Sequence, residues 1–132
     1  MKKFSGFVMV GTNDLVKSAK FYNAIFVPLN LTQVVVTEKY IGYAKKKTIK
    51  DIEFYITKPN NNEPATYGNG TQISFLVESK KKVDEFHAIG LKNGGADEGL
   101  PGIRSGNYFA YVRDLDGNKI CAYSITKNRW YL

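Results

Sequence analysis

Apolar and polar positions change period several times along the chain, and each change marks an element. Residues 4–10 alternate, with Phe7 and Met9 on one side and Val8 and Val10 on the other, which predicts a strand. Gly11-Thr12-Asn13-Asp14 interrupts it, and Asn13 or Asp14 is placed to cap a following helix by accepting from its free amides. Leu15, Ala19, Tyr22 and Phe26, flanked by Ser18, Phe21 and Ile25, recur at helical spacing, and Pro28 ends the run. Residues 31–37, 40–44 and 52–57 then predict three strands, the last setting Glu53 and Tyr55 against Ile52, Phe54 and Ile56. Residues 59–69, with an asparagine run, Pro64 and Gly68, predict a connecting loop.

After that loop the order of elements returns. Residues 72–77 alternate, Ser79 can cap a helix reaching about Asn93, and Gly94-Gly95 ends it. Strands follow near 96–99, 108–113 and 119–124. Asp114-Leu115-Asp116-Gly117-Asn118 supplies the residues of a tight turn, so the last two strands form a hairpin. Its final strand carries Cys121 and Tyr123 on one side, Ile120 and Ala122 on the other. Displacing the first half by 65 positions lays Phe7 on Gln72, Asp14 on Ser79 and Phe21 on Phe86. The pattern therefore predicts one α+β domain over 1–132, made of two βαβββ modules at about 1–58 and 70–126 whose curved mixed sheets form a cleft.

Composition narrows the class. At 132 residues, 43% hydrophobic and 23% charged, the chain has the make-up of a folded domain and not of a disordered or fibrous one. No apolar run approaches the roughly 20 residues that span a bilayer, and the start enters a strand pattern in place of a signal peptide, so a cytoplasmic protein without a membrane partner is expected. One cysteine forms no internal disulfide, in keeping with a reducing compartment. The net charge of +7 raises nucleic acid as a partner. Lys45–Lys47 and Lys80–Lys82, however, read as a solvated turn and a helix start, and no nucleic-acid motif accompanies them. A positive field suits a small anionic ligand instead.

Four stretches carry a family resemblance: Gly11-Thr12-Asn13-Asp14-Leu15 with Ser18, Phe21 and Tyr22; Gly68-Asn69-Gly70-Thr71-Gln72-Ile73-Ser74-Phe75; Val83-Asp84-Glu85-Phe86-His87; and Tyr111-Val112-Arg113-Asp114-Leu115-Asp116-Gly117-Asn118-Lys119. Together they resemble the glyoxalase/bleomycin-resistance/dioxygenase (vicinal oxygen chelate) superfamily over nearly the whole chain. The resemblance implies the glyoxalase-like fold and a homodimer. In metal-dependent members it implies a histidine, glutamate, histidine, glutamate set whose divalent ion chelates substrate oxygens. Here those positions fall on Phe7, Glu53, Gln72 and Cys121. One hard ligand in four makes a poor site for nickel, magnesium or iron, so no metal and no other cofactor is expected.

What remains is a cavity with an apolar floor at Phe7 and Met9 and polar groups at Glu53, Gln72 and Ser74, joined by Tyr55, Cys121 and Tyr123. Residues 100–106 predict a mobile glycine-rich loop whose Arg104 suits a carboxylate or phosphate, with Tyr108 beginning the next strand nearby. Arg113 is expected to pair with Asp114 or Asp116, His87 to be satisfied locally on its helix, and the tail 128–132 to pack across a partner or close the second half. The functions to weigh are a lyase- or isomerase-like proton transfer with Glu53 as base and Arg104 or Tyr108 steadying an anion, and a drug-binding, resistance-type protein that holds an aromatic or anionic ligand. A metal-dependent lactoylglutathione-lyase-like enzyme and a regulatory module using the basic surface are the further alternatives.

Overall fold

A computed structural model of the chain describes residues 5–126. Each half contributes a strand, a helix and three strands. They are β1 (Val8–Gly11), α1 (Leu15–Ile25), β2 (Thr32–Val36), β3 (Tyr40–Ala44) and β4 (Phe54–Thr57), then β5 (Ile73–Leu76), α2 (Lys80–Lys92), β6 (Ala96–Arg104), β7 (Asn107–Arg113) and β8 (Lys119–Ser124). The sheets run β1-β4-β3-β2 and β5-β8-β7-β6, with β1·β4 and β5·β8 parallel and the other pairs antiparallel. Equivalent pairings in the two halves make the duplication expected from the pattern a property of the fold, and the α+β architecture is the glyoxalase-like one that the resemblance implies.

Both helices start where a short polar side chain meets the apolar run. Asp14 accepts from the Lys17 amide at 3.0 Å and Ser79 from the Lys82 amide at 3.3 Å, each satisfying one orphan donor of the first turn. Of the two capping residues offered by the sequence, Asp14 does the capping. Asn13 instead ties the halves together, its amide N–H donating to Asp116 Oδ1 at 2.9 Å and its Oδ1 accepting from the Ala65 amide at 2.7 Å.

The helix-facing sides of both sheets share one core. Tyr22, Ile25, Phe26 and Phe54 from the first half meet Val83, Phe86, Val112 and Ile120 from the second, all essentially inaccessible. Phe75 bridges them, with its ring centroid 5.5 Å from Phe26 and 5.9 Å from Phe54. Each such burial contributes roughly 1.5–3 kcal/mol.

The Asp114 turn is a joint between the halves. Its Oδ1 accepts from the amides of Asp116 and Asn118, both at 2.9 Å, and its Oδ2 accepts from the Asn118 side-chain amide at 2.9 Å and from the Tyr22 hydroxyl of α1 at 2.5 Å. Asn118 also donates to the Gly11 carbonyl at 3.1 Å. Burial lifts the Asp114 carboxyl above its ordinary value despite these donors, and burial beside Asp114 lifts the Tyr22 phenol well above its own.

Several expectations are corrected. Residues 100–106 are not a loop: β6 continues to Arg104 and turns through Ser105 and Gly106, at φ 51° and 85°. Because β6 is an edge strand, Pro101 need not break a ladder between two neighbours, and shifts in register between Asp97 and Gly99 and between Gly99 and Gly102 absorb the glycines. Strand β4 begins at Phe54, not at residue 52, because a 3-10 turn over Ile49–Asp51 occupies the approach. Arg113 pairs with neither turn aspartate. Its Nε lies 3.1 Å from Glu98 Oε1 and its Nη1 donates to the Gly117 carbonyl at 2.9 Å, since alternation along β7 and its exit sends adjacent residues to opposite sides. His87 is buried and reaches off its helix, with Nε2 2.8 Å from Asp97 Oδ1 on β6. The tail 128–132 lies outside the described residues.

Candidate functional site

Each sheet turns one side to its helix and leaves the other open. On the first sheet the open side carries Phe7 and Met9, which remain 53% and 47% exposed although both are apolar. Tyr55 lies between two other rings, 4.7 Å from Phe7 and 5.7 Å from Tyr40, and Glu53 shares its side of β4 by alternation. Tyr55 leans over Gly42, where an added Cβ would come within 2.8 Å of its ring.

The open side of the second sheet is laid out in rows by the strand register. Leu76, Tyr123, Phe109 and Gly102 stand side by side across β5, β8, β7 and β6, followed by Ser74, Cys121, Tyr111 and Gly99. One step further, Lys119 pairs with Arg113 and lies beside Gln72. Tyr123 and Phe109 are stacked at 5.3 Å and 12°, Phe109 and Tyr111 at 6.1 Å and 4°. Two cations lie over Tyr111: the Arg104 guanidinium 5.2 Å and the Lys119 ammonium 4.9 Å from its centroid. Gly99 makes room for this arrangement, since a Cβ there would sit 2.6 Å from the Tyr111 ring and 3.2 Å from Arg104 Nη2.

The ten residues expected at the site are therefore not gathered at one point. Gln72, Ser74, Cys121, Tyr123 and Arg104 share the second open face, whereas Phe7, Met9, Glu53 and Tyr55 share the first. Tyr108 lies on neither. It faces α2, where its hydroxyl donates to Asp84 Oδ1 at 2.7 Å and Lys80 lies 5.5 Å from its ring. Among the described residues no hydrogen bond, ion pair or ring contact joins one open face to the other. A groove of about 790 Å³ lies between α1 and the end of β2 and β3, lined by Val16, Lys20, Val36 and Glu38 among others and by none of the ten. Phe109, Tyr111 and Lys119 complete the second face without having been singled out from the sequence. Alternation in residues 108–113 was the available signal, but which phase joins Cys121 is set by the β7·β8 register.

The residues do not fit the divalent ion of metal-dependent relatives. Met9 pairs with Tyr55 as Ser74 pairs with Cys121, so Tyr55 is the structural counterpart of Cys121, and Glu53 is that of Lys119. Phe7 has no donor atom. Cys121 is inaccessible, and burial pushes its thiol up, favouring the protonated form that binds metals poorly. The Gln72 amide donates to Ser74 Oγ at 2.9 Å. Among the described residues no three His, Cys, Asp or Glu side chains converge on a point where an ion would be held.

Two four-stranded sheets, each with a parallel outer pair and one helix, define a paired-module α+β protein. A glyoxalase/bleomycin resistance protein from Albidiferax ferrireducens superposes with a TM-score of 0.84 at 43% identity, over 95% of this chain and 100% of that one. The chain belongs to the glyoxalase/bleomycin resistance family, within the vicinal oxygen chelate superfamily. The same fold occurs in a lactoylglutathione lyase from Agrobacterium tumefaciens (TM-score 0.64, 20% identity, 93% and 96% of the two chains). It occurs again in a fosfomycin resistance protein from Mesorhizobium loti (TM-score 0.68, 15% identity, 96% and 95%). No protein-family model matches the chain, and no curated protein does.

Proposed function

We propose that this protein is a metal-independent binder of a small organic molecule, held on the open face of the second sheet and roofed by the first sheet of a second copy. The observation that carries this reading is that, of the expected family positions Phe7, Glu53, Gln72 and Cys121, only Glu53 offers a hard ligand, and that it is Tyr55 and not Glu53 that mirrors Cys121, in a largely aromatic setting. Apolar and aromatic lining with a few polar groups is what a small-molecule site requires. The roof is supported by the apolar residues left uncovered on both faces, with Leu76 58% exposed on the second sheet and Phe7 53% on the first. It is supported too by the opposed charges of Glu53 and Lys119 at equivalent positions.

Metal titration tests this reading. Nickel, zinc, manganese and magnesium leave the melting temperature of the purified protein unchanged, and an organic-ligand screen raises it, because a molecule bound only by the folded state stabilises that state. A stoichiometric metal with a rise in melting temperature overturns it. Sedimentation at micromolar concentration tests the roof, with a dimer expected.

An acid-base enzyme is a second reading, favoured by Glu53 standing opposite the basic face in such a dimer. It requires Glu53 to act as the base, and turnover lost in Glu53→Gln with binding retained is its signature.

A further inference from the structure

The second open face is graded along its strands. At one end the row Leu76, Tyr123, Phe109 and Gly102 is apolar and aromatic, the middle row holds Ser74, Cys121 and Tyr111, and the far row begins with Lys119. Alternate residues on a strand are about 7 Å apart. Lys119, however, folds back so that its ammonium lies over Tyr111. Its charge thus stands one row from the Tyr123 and Phe109 rings, a separation that a fused two-ring system spans.

The cations of this face are not equivalent. Arg104 is held by the backbone, donating to the carbonyls of Phe109 and Leu100, each at 2.7 Å. Arg113 is held by Glu98 and by the Gly117 carbonyl. Lys119 has no carboxylate within ion-pair distance among the described residues; its ammonium lies over the face of Tyr111, and the Glu98 carboxylate whose field it also feels is already held by Arg113. Arg104 therefore positions Tyr111, and Lys119 is the cation free to meet a ligand.

The stacking decides the other half. Tyr123, Phe109 and Tyr111 turn their faces to one another, so what they offer a ligand is mainly their edges, which carry the positive part of the aromatic quadrupole. Positive edges favour the electron-rich face of an aromatic ring laid on them. They disfavour serial base stacking, which needs free faces.

From these observations we infer that the ligand is a planar aromatic anion, its ring lying on the edges of Tyr123 and Phe109 and its carboxylate or phenolate meeting Lys119. The inference rests on the proposed binding function and names its ligand class.

Calorimetric titration with 2-naphthoate and with its neutral analogue 2-naphthalenemethanol tests it. Naphthoate is expected to bind about tenfold more tightly, the difference one charge-assisted contact supplies. Lys119→Met, which keeps the alkyl stem over Tyr111, should abolish that preference without changing the affinity for the alcohol. Lys119→Arg should restore it, and Lys81→Met, a control on α2, should leave it intact. Phe109→Leu should weaken both probes together. Equal binding of the two probes by the unaltered protein, or an unchanged preference in Lys119→Met, overturns the aromatic anion while leaving the wider binding function standing. Heat from neither probe overturns the inference, and no stabilisation by any organic ligand in the thermal screen overturns the binding function as well.

Discussion

The open faces of the two sheets are built from equivalent strands of one repeated unit, and they have diverged in opposite directions. In the first, the large ring is Tyr55 on β4 and the small partner is Gly42 on β3; in the second, the small residue is Cys121 on β8 and the ring is Tyr111 on β7. Charge is reversed likewise, with Glu53 where the second face has Lys119. The helix-facing sides show no such divergence: Phe54 and Ile56 on β4 correspond to Ile120 and Ala122 on β8, all inaccessible. A shared close-packed core keeps these positions apolar and lets neighbours take up differences in volume, while an open face is constrained only by what it must meet. At equivalent positions the two open faces are thus opposite in the order of large and small residues and in the sign of their charge.

The largest effect is expected from breaking the joint that fixes one half against the other. Asp114→Ala removes the acceptor for Tyr22 and for both Asn118 donors, leaving buried donors without partners. Destabilisation by about 3 kcal/mol is expected in urea unfolding, and a loss under about 1 kcal/mol means the halves are held by apolar packing alone.

Next comes the ring platform. Gly99→Val places a side chain where Tyr111 and Arg104 now lie, within 2.6 Å of the ring. It should cost about 1–3 kcal/mol and weaken naphthoate binding, whereas a Cβ added at Gly102 would meet nothing nearer than the Leu100 carbonyl at 3.9 Å and should leave stability unchanged.

Glu53→Gln sharpens the contrast from the other side. If the two faces meet only across copies and only binding occurs, probe affinity changes less than about fivefold, the span of an exposed charge interaction. A loss of turnover of any substrate found would move Glu53 from roof to catalyst.

The smallest effect concerns pH. The hydrogen bond from His87 holds the Asp97 carboxyl below its ordinary value, with the Gly99 amide at 3.0 Å adding to it. A carboxyl whose folded-state value is depressed contributes stability above its unfolded value, about 3.9, and loses it as pH falls through the lower folded value. Acid unfolding monitored below pH 4 should therefore be shallower in Asp97→Asn than in the unaltered protein, whose small advantage at pH 7 disappears as the pH falls. An identical acid limb in both proteins shows that β6 is held without this contact.

Local pattern carried much of the architecture. Helix starts at Asp14 and Ser79, the end at Gly94, the tight turn at Gly117 and the 65-residue displacement follow from capping, backbone freedom and apolar period, which act within a few residues. Residues 100–106 were misjudged because Gly and Pro are turn signals in isolation, and only the edge position of β6 makes them compatible with a strand. The site was less legible. Tyr108 and Phe109 are adjacent in sequence and of similar chemistry, yet one faces α2 and the other the open face.

By itself the sequence determined two βαβββ modules, their caps and turns, the family they belong to, and a family metal set in which Phe7 has no donor to give. Tertiary structure alone decided which residues stand together: that Tyr55, not Glu53, mirrors Cys121, that Arg104 is engaged by backbone carbonyls, and that Lys119 is left over an aromatic ring. The reason is physical. Periodicity assigns a residue to one of two sides, but pairing register and hydrogen-bond satisfaction choose its neighbours, and these depend on strands brought together from distant parts of the chain.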